Sequence, residues 1–257
     1  MHVALRFAYD GPSFEGYARQ PDHRTVEDTL IEALGREGYV AGSWRTGSRT
    51  DRGVSALENV ARAELDRPHL RGLLPAVNRL LPDGLWLTGV APVAPEWNPR
   101  HGKQRTYQYV QPRGGEDLDA MKDACKAFVG THPMHAFARI DERDPVRTVH
   151  AFDVAPGEDA WRFTVTGPSF LWNQVRRMVA AVLDVGAGRL DVAAIAHAFV
   201  DGQPVAQLAP PEGLLLAAVD YDPELVWADA GHAPKVGRAW QRAQVQATLL
   251  NALSESS

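Results

Sequence analysis

The order of the predicted strands and helices most restricts the fold of this 257-residue chain. Alternating apolar and polar or small residues over 3–9 predict a half-buried strand, and the capping sequence at 25–28 predicts an amphipathic helix after it. Further strands and helices interleave in both halves, without the regular strand–helix–strand alternation of a doubly wound parallel sheet. We therefore expect an α+β fold with mostly antiparallel sheets flanked by helices.

The remaining predicted elements follow from periodicity and from glycine and proline positions. Strands are expected at 57–65, 85–93, 105–110, 146–154, 161–166 and 214–219. Helices are expected at 70–81, 117–128, 170–186 and 191–200. Glycines interrupt the pattern over 41–53, and no element is predicted there. The prolines between 92 and 99 predict a boundary between a domain of residues 1–98 and a domain of residues 99–257.

Composition narrows the classes of protein to which the chain can belong. Its one cysteine, Cys125, has no partner for a disulfide or a cysteine-based zinc site, so we expect a reducing compartment and place the protein in the cytoplasm. The N-terminus lacks the unbroken apolar core of a signal peptide, and no stretch has the roughly eighteen apolar residues of a membrane span. No membrane association is expected. The GxGxxG, P-loop, HExxH and GxSxG motifs are missing as well.

Charge is distributed unevenly along the chain. The formal net charge is −5 and the pI is about 6.0, which argues against a surface that is basic throughout. Basic residues nevertheless cluster at 100–105 and at 139–147, whereas acidic residues concentrate at 116–123 and after 212. Each basic cluster is either a solvated charged face or part of a local groove that binds an anionic partner.

The segment 47–54 places Asp51 between two arginines, Arg49 and Arg52, in a loop bracketed by glycines. Glycine permits tight turns that other residues disfavour. One interpretation is a turn stabilised by the aspartate side chain, with both arginines in solvent. The other is an aspartate kept ionised by nearby cations, beside arginines that bind phosphate.

The predicted helix 170–186 carries Arg176 at the edge of its apolar stripe. At 3.6 residues per turn, Arg176 lies about 20° from Leu183 and about 60° from Val179 around the helix axis. A guanidinium at the edge of a core needs a hydrogen-bonded carboxylate to offset its loss of solvent. Such a pair either serves only the fold or belongs to a functional site.

The segment 103–109, which overlaps the predicted strand 105–110, combines basic residues with two tyrosines. Strand alternation puts Tyr107 and Tyr109 on one face. A tyrosine beside cations suits stacking on a nucleic-acid base while the cations hold phosphates. Two ordinary core tyrosines are the other interpretation, since aromatic residues are common in strands.

These segments, taken in order, resemble those of one family. Residues 49–56, Arg-Thr-Asp-Arg-Gly-Val-Ser-Ala, resemble the RTDxGVxA signature of the TruA-type tRNA pseudouridine synthases. Residues 105–109 are similar to the second motif of that family, and residues 170–176 are similar to its third. Residues 16–20 match its Gly-aromatic-x-x-Gln pattern. The likeness extends to Tyr221.

The resemblance implies a role for each matched residue. Asp51 is implied as the catalytic nucleophile, Tyr107 as the active-site tyrosine, and Arg176 as the active-site arginine. A neighbouring arginine lowers the pKa of a carboxyl group by about 1 to 3 units, which gives Arg176 a reason to face Asp51. An active-site cleft is expected between the two domains, the first carrying Asp51 and the second carrying Tyr107 and Arg176. The substrate-binding residues implied in this way are Arg49, Arg52, Arg19, Arg100 and Arg105.

The implied reaction is the isomerisation of uridine to pseudouridine. It involves no redox change and no external group, so neither a cofactor nor a metal is expected. The resemblance implies uridines 38 to 40 in the anticodon arm of tRNA as targets, and a homodimer whose subunits together hold one tRNA. The alternatives are a synthase of the same fold acting on another RNA, a catalytically silent RNA-binding relative, and an unrelated carboxylate-dependent hydrolase.

Overall fold

A computed structural model describes residues 1–39, 41–66, 70–142 and 144–229 of the chain. The described residues form two compact units. The first consists of Met1–His101 together with residues 225–229, and the second is Gly102–Glu224. The first boundary lies close to the predicted one at 98, whereas residues 225–229, which the sequence analysis assigned to the second domain, group with the first unit.

Both units contain strands and helices within the described residues. The strands are β1 (His2–Tyr9), β2 (Ala41–Thr46), β3 (Ser55–Leu65), β4 (Leu85–Pro92), β5 (Gln104–Pro112), β6 (Gly130–Pro133), β7 (Val146–Val149), β8 (Ala151–Pro156), β9 (Ala160–Gly167), β10 (Leu214–Asp220) and β11 (Ala228–Asp229). The α-helices are α1 (Val26–Arg36), α2 (Leu73–Leu80), α3 (Leu118–Phe128), α4 (Gln174–Gly186) and α5 (Val192–Asp201).

The first unit is built around β1. This strand pairs antiparallel with β3 on one side and with β4 on the other, while β2 extends the sheet at β3 and β11 extends it at β4. The prediction that β1 is half-buried was wrong, since Ala4 and Ala8 are as fully buried as Leu5 and Phe7. Both alanines lie on the face opposite to Leu5 and Phe7, so that face is also largely covered, although His2 and Arg6 on it are only partly buried.

Helix α1 begins at the predicted cap. The hydroxyl of Thr25 accepts a hydrogen bond from the backbone N–H of Asp28 at 3.2 Å and donates one to the Asp28 carboxylate at 2.9 Å. These bonds satisfy a backbone donor that the first turn of a helix leaves without a partner. The helix buries Val26, Leu30 and Leu34. The predicted amphipathic helix is thereby confirmed.

The second unit contains the sheet β10–β5–β9–β8, in which each neighbouring pair is antiparallel. Strands β6 and β7 form a separate antiparallel pair, and α3 packs against α4, α5 and β8. The run 146–154, predicted as one alternating stretch, is divided between β7 and β8. Strands β2, β6 and β11 were not predicted from the sequence.

Helix α4 begins four residues later than predicted. Asn173 adopts the left-handed conformation, with φ of 65° and ψ of 2°, so the helix starts at Gln174 rather than near Phe170. The preceding residues are not helical, and Trp172 forms an isolated antiparallel bridge with Arg139. Arg176 therefore lies in the first turn of α4.

The pairing pattern within the two units confirms the expected α+β class with mostly antiparallel strands. In the described part of the chain, no helix combines the length and the apolar character required to cross a bilayer.

Candidate active site

Asp51 lies on a tight turn between β2 and β3, which we call the Asp51 loop (residues 47–54). The backbone N–H of Val54 donates to the carbonyl oxygen of Asp51 at 3.1 Å, and Gly53 has φ of 86°. Only glycine adopts that conformation without strain. Asp51 itself is half-buried. The turn therefore places a carboxylate side chain between the ends of two paired strands.

A buried hydrogen-bond network joins Ser48 and Thr50, which precede Asp51 in the loop, to the sheet of the first unit. The hydroxyl groups of Tyr9 and Thr50 lie 2.7 Å apart, and the Nδ2 of Asn59 donates to the Tyr9 hydroxyl at 3.1 Å. The same Nδ2 donates to the carbonyl oxygen of Ser48 at 2.9 Å. Asn59 is fully buried and Tyr9 is 2% exposed. The position of the loop is thus set by residues of β1 and β3.

Tyr17 packs beside this network. Its backbone N–H donates to the carbonyl oxygen of Thr50 at 3.4 Å, and its hydroxyl accepts hydrogen bonds from Thr46 and from the indole of Trp44. Its ring stacks on Phe7 with centroids 6.0 Å apart. Complete burial raises the pKa of the Tyr17 hydroxyl well above its usual range. Tyr17 therefore remains neutral, and its contacts with Thr50, Thr46 and Trp44 help to hold the loop against the sheet.

The chain passes very close to the Asp51 loop at Gly11. A Cβ atom at this position would lie 2.4 Å from the carbonyl carbon of Val54 and 2.5 Å from that of Gly53. The Gly11 N–H also donates to the hydroxyl of Ser55 at 2.9 Å. Because the contacted atoms are backbone, a larger residue could be accommodated only by displacing the loop.

Three of the predicted substrate-binding residues lie on the surface of the first unit. Arg19, Arg49 and Arg52 are all exposed. The Nε of Arg19 lies 2.6 Å from the carboxylate of Asp28, within ion-pair distance. Exposed guanidinium groups are suited to bidentate contacts with phosphate.

Arg52 lies near a second acidic residue, Glu15. One nitrogen of its guanidinium is 3.9 Å from the Glu15 carboxylate, which also lies 3.0 Å from the Nδ1 of His23. The hydrogen bond with His23 is the main reason that the pKa of Glu15 is lowered. Glu15 is therefore an anion in the neutral range and competes with other anions for Arg52.

Tyr107 lies in the middle of β5 in the second unit. Tyr107 pairs with Val165 of β9 and with Leu216 of β10, and it is half-buried. The ring of Phe170 packs edge-on against it, with centroids 5.4 Å apart and planes at 88°. This edge-to-face contact is a preferred aromatic geometry and limits rotation of the tyrosine ring.

Arg176 is 8% exposed and is held by two acceptors of its own unit. Its Nε donates to the carbonyl oxygen of Ala209 at 2.7 Å, and an Nη donates to the side-chain oxygen of Asn173 at 3.3 Å. Tyr109 secures the same segment through a 3.0 Å bond from its hydroxyl to the Pro210 carbonyl. Burial raises the pKa of the Tyr109 hydroxyl, against the opposing effect of the Arg176 charge. The guanidinium is thereby fixed in orientation.

The two remaining predicted arginines differ in position. Arg100 is exposed, and its backbone N–H donates to the side chain of Asn98 at 3.1 Å. Arg105 is only 5% exposed, and its guanidinium donates to the carbonyl oxygen of Pro168. Arg105 therefore lies inside the second unit and supports the turn that leads to Phe170. Arg143, in the predicted basic cluster at 139–147, lies outside the described residues.

Several contributors were not identified from the sequence. Tyr9 was assigned only to a strand, and neither Asn59 nor Asn173 was singled out. An asparagine within the predicted strand 57–65 was an available signal, since a buried amide requires hydrogen-bond partners. Among the described residues, no three or more His, Cys, Asp and Glu side chains are grouped so that they could hold a metal ion.

Comparisons with known proteins identify the family. A family model described as tRNA pseudouridine synthase matches residues 124–222. A protein from Pyrococcus abyssi named tRNA pseudouridine synthase A is 35% identical over 226 residues, covering 86% of this chain and 85% of the relative. The protein of that name from Thermococcus kodakarensis is 38% identical over 235 residues, covering 86% and 85%. The one from Thermococcus sibiricus is 37% identical over 247 residues, covering 93% and 91%. The chain therefore belongs to the tRNA pseudouridine synthase A family.

Proposed function

We propose that this protein isomerises uridine to pseudouridine in the anticodon arm of tRNA, at positions 38 to 40, with Asp51 as the nucleophile. Its relatives over more than four fifths of the chain are named tRNA pseudouridine synthases. The observation that carries the assignment of Asp51 is the anchoring of its loop. Ser48 and Thr50, which precede Asp51, are bonded to the buried side chains of Asn59 and Tyr9, and this suits a carboxylate that must be held in one place.

The proposed reaction conserves all atoms of the nucleoside. The N1–C1′ bond breaks, the uracil turns, and a C5–C1′ bond forms in its place. The proton on C5 leaves and N1 gains a proton, so no oxidant or group donor is consumed. An ionised carboxylate can form a covalent intermediate with the nucleoside while the base turns.

Tyr107 and Arg176 are proposed to act with Asp51. The ring of Tyr107 is held edge-on by Phe170 and offers a face on which the extruded uracil can stack; its hydroxyl is a candidate base for the C5 proton. Arg176 is a fixed, desolvated cation, and in the proposed mechanism it keeps Asp51 ionised. Removing a uridine from its stack costs a few kcal/mol, which binding of the surrounding RNA must offset.

Exposed arginines are proposed to supply that binding. Arg49, Arg52, Arg19 and Arg100 contact the RNA backbone in this proposal, with Arg49 also filling the space that the flipped uridine leaves. Arg105, which is buried, has a supporting role instead. We further propose that the enzyme acts as a homodimer that holds one tRNA, because two copies would together present more basic surface than one copy of this acidic chain. The cytoplasm is its proposed location.

The test is a nucleotide-resolution map of pseudouridine in tRNA incubated with the wild-type protein and with Asp51→Asn. We expect new pseudouridine at positions 38 to 40 with the wild type. Asp51→Asn has nearly the same shape but no nucleophilic carboxylate, so we expect no product and a tRNA Kd within a few fold of the wild-type value.

Asp119→Asn provides the matched control. Its side chain is 93% exposed on α3, and the same chemical change there should leave the map unaltered. Product formation by Asp51→Asn would refute the nucleophile. Pseudouridine confined to RNAs other than tRNA would refute the proposed substrate.

A further inference from the structure

An arginine and a tryptophan form a stacked pair on the surface of the second unit. The guanidinium carbon of Arg139 lies 4.0 Å from the ring centroid of Trp172. The backbone N–H of Arg139 donates to the carbonyl oxygen of Trp172 at 2.8 Å, so the two residues are also joined through their backbones. The relative position of the two side chains is therefore set by main-chain pairing.

This pair remains open to solvent. Trp172 is 44% exposed, which is unusual for a tryptophan, and Arg139 is exposed as well. The guanidinium covers one face of the indole. The remaining exposure leaves ring area for a second planar group. A second arginine–tryptophan pair of this unit, Arg113 with Trp161, differs, because Trp161 is only 3% exposed.

The pair is connected directly to the proposed catalytic residues of the same unit. Phe170, two residues before Trp172, packs against Tyr107. Asn173, the residue after Trp172, accepts a hydrogen bond from Arg176. Four consecutive residues thus contact Tyr107 at one end and Arg176 at the other, with the exposed indole between them.

We propose that Trp172, backed by Arg139, is a stacking platform for an unpaired base of the RNA substrate next to the target uridine. Aromatic rings bind unpaired bases of any sequence through their π faces, and an arginine stacked on the far side strengthens the platform. The proposal extends the proposed function, since it names a binding site for the same RNA.

The charges around the pair favour stacking over phosphate binding. Asp141 and Glu142, which are both exposed, follow Arg139 within three residues, so this stretch of the chain carries acidic as well as basic side chains. The contribution of the platform should therefore depend little on salt, unlike the contribution of arginines that contact phosphates.

The test is equilibrium binding of an unmodified tRNA transcript to a series of Trp172 variants, all carrying Asp51→Asn so that the RNA is not converted. We expect Trp172→Ala to raise the Kd at least about 5-fold. Trp172→Tyr and Trp172→Phe keep a π face and should recover most of the affinity. Trp172→Leu keeps apolar area without a π face and should bind as weakly as Trp172→Ala. The ratio of variant to parent Kd should be the same at low and moderate salt.

Arg113→Ala is the control, because it removes the arginine from a pair whose indole is not exposed. It should bind tRNA as the parent does, whereas Arg139→Ala should bind more weakly. Unchanged tRNA affinity in Trp172→Ala, or affinity restored by Trp172→Leu, would refute the proposal that Trp172 stacks on a base. So would a loss of self-association with unchanged RNA affinity, which would show that the pair contacts a second copy of the chain.

The outcome is separable from that of the proposed function. Pseudouridine formation is measured with proteins that retain Asp51, and its failure leaves the binding series interpretable. With an active wild type, Trp172→Ala should raise KM with little change in kcat, since an undamaged chemical step remains.

Discussion

Replacing Tyr9 by phenylalanine removes one oxygen atom that takes part in two hydrogen bonds below the Asp51 loop. That oxygen lies 2.7 Å from the hydroxyl of Thr50 and accepts the amide of Asn59 at 3.1 Å. Thr50 is joined to Asp51 by a single peptide bond. The substitution therefore removes a hydrogen bond that connects the residue before Asp51 to β1. It leaves Asp51 itself and the aromatic ring at position 9 unchanged.

The size of the effect follows from the burial of the partners. Asn59 is fully buried, so the amide hydrogen that pointed at Tyr9 has no water to replace the lost acceptor. An unsatisfied buried donor costs about 1 to 3 kcal/mol of stability. A misplacement of about 1 Å of a reacting group can lower a rate about 100-fold. We expect kcat to fall about 10- to 100-fold, with a tRNA Kd close to that of the wild type.

The assay is single-turnover pseudouridine formation together with thermal and urea unfolding. Tyr17→Phe is the matched control, because Tyr17 is also buried and its hydroxyl takes part in two hydrogen bonds, both donated by residues of β2, Thr46 and Trp44. It should be destabilised by a similar amount and lose much less activity. Thr50→Val removes the same contact from the other side, so Tyr9→Phe and Thr50→Val should not be additive.

Equal losses of kcat in Tyr9→Phe and Tyr17→Phe would show that general destabilisation, rather than the position of the loop, lowers the rate. Full activity in a destabilised Tyr9→Phe would refute the positioning role.

Two further predictions concern the surroundings of the same loop. Gly11→Ala should lower kcat at least about 10-fold, because its Cβ would overlap the backbone of Gly53 and Val54 and displace the loop. The control is Gly35→Ala on α1, where no atom lies near the added Cβ, and equal activity of the two variants in the single-turnover assay would contradict the prediction. Glu15→Gln removes the carboxylate that competes with phosphate for Arg52, so the affinity for tRNA should rise about 2-fold at low salt and by less at high salt. An unchanged Kd at low salt would show that Arg52 does not contact the RNA backbone.

The sequence predicted most elements because local patterns determine them. The cap at Thr25 and the apolar face of α1 depend on residues within a few positions of each other. The start of α4 was misplaced because Phe170 to Asn173 continue the helical pattern, whereas the left-handed conformation of Asn173 ends it. Strand β2 was missed because its glycine and serine residues weaken the alternating pattern, and its pairing with β3 cannot be read from that pattern.

Fewer residues of the candidate site than elements of the fold could be predicted from the sequence. Asp51, Tyr107 and Arg176 could be named as candidates by resemblance, because motifs are contiguous in sequence. The supports of Asp51 could not, because the meeting of Tyr9 and Asn59 depends on the register between β1 and β3. That register places Phe7 opposite Asn59 and Tyr9 opposite Ala56, with an irregularity between them. Buried Arg105 was grouped with the RNA-binding arginines, because sequence alone does not distinguish a covered strand position from an exposed one.

The Asp51 loop divides its residues between two directions. Ser48 and Thr50 are bonded toward the sheet, whereas Arg49 and Arg52 are exposed to solvent. The position of the carboxylate is thus independent of the side chains that face outward. Such a division makes the loop suitable for altering substrate choice: randomising positions 49 and 52 would sample RNA preferences while every member of the library keeps the same anchored aspartate.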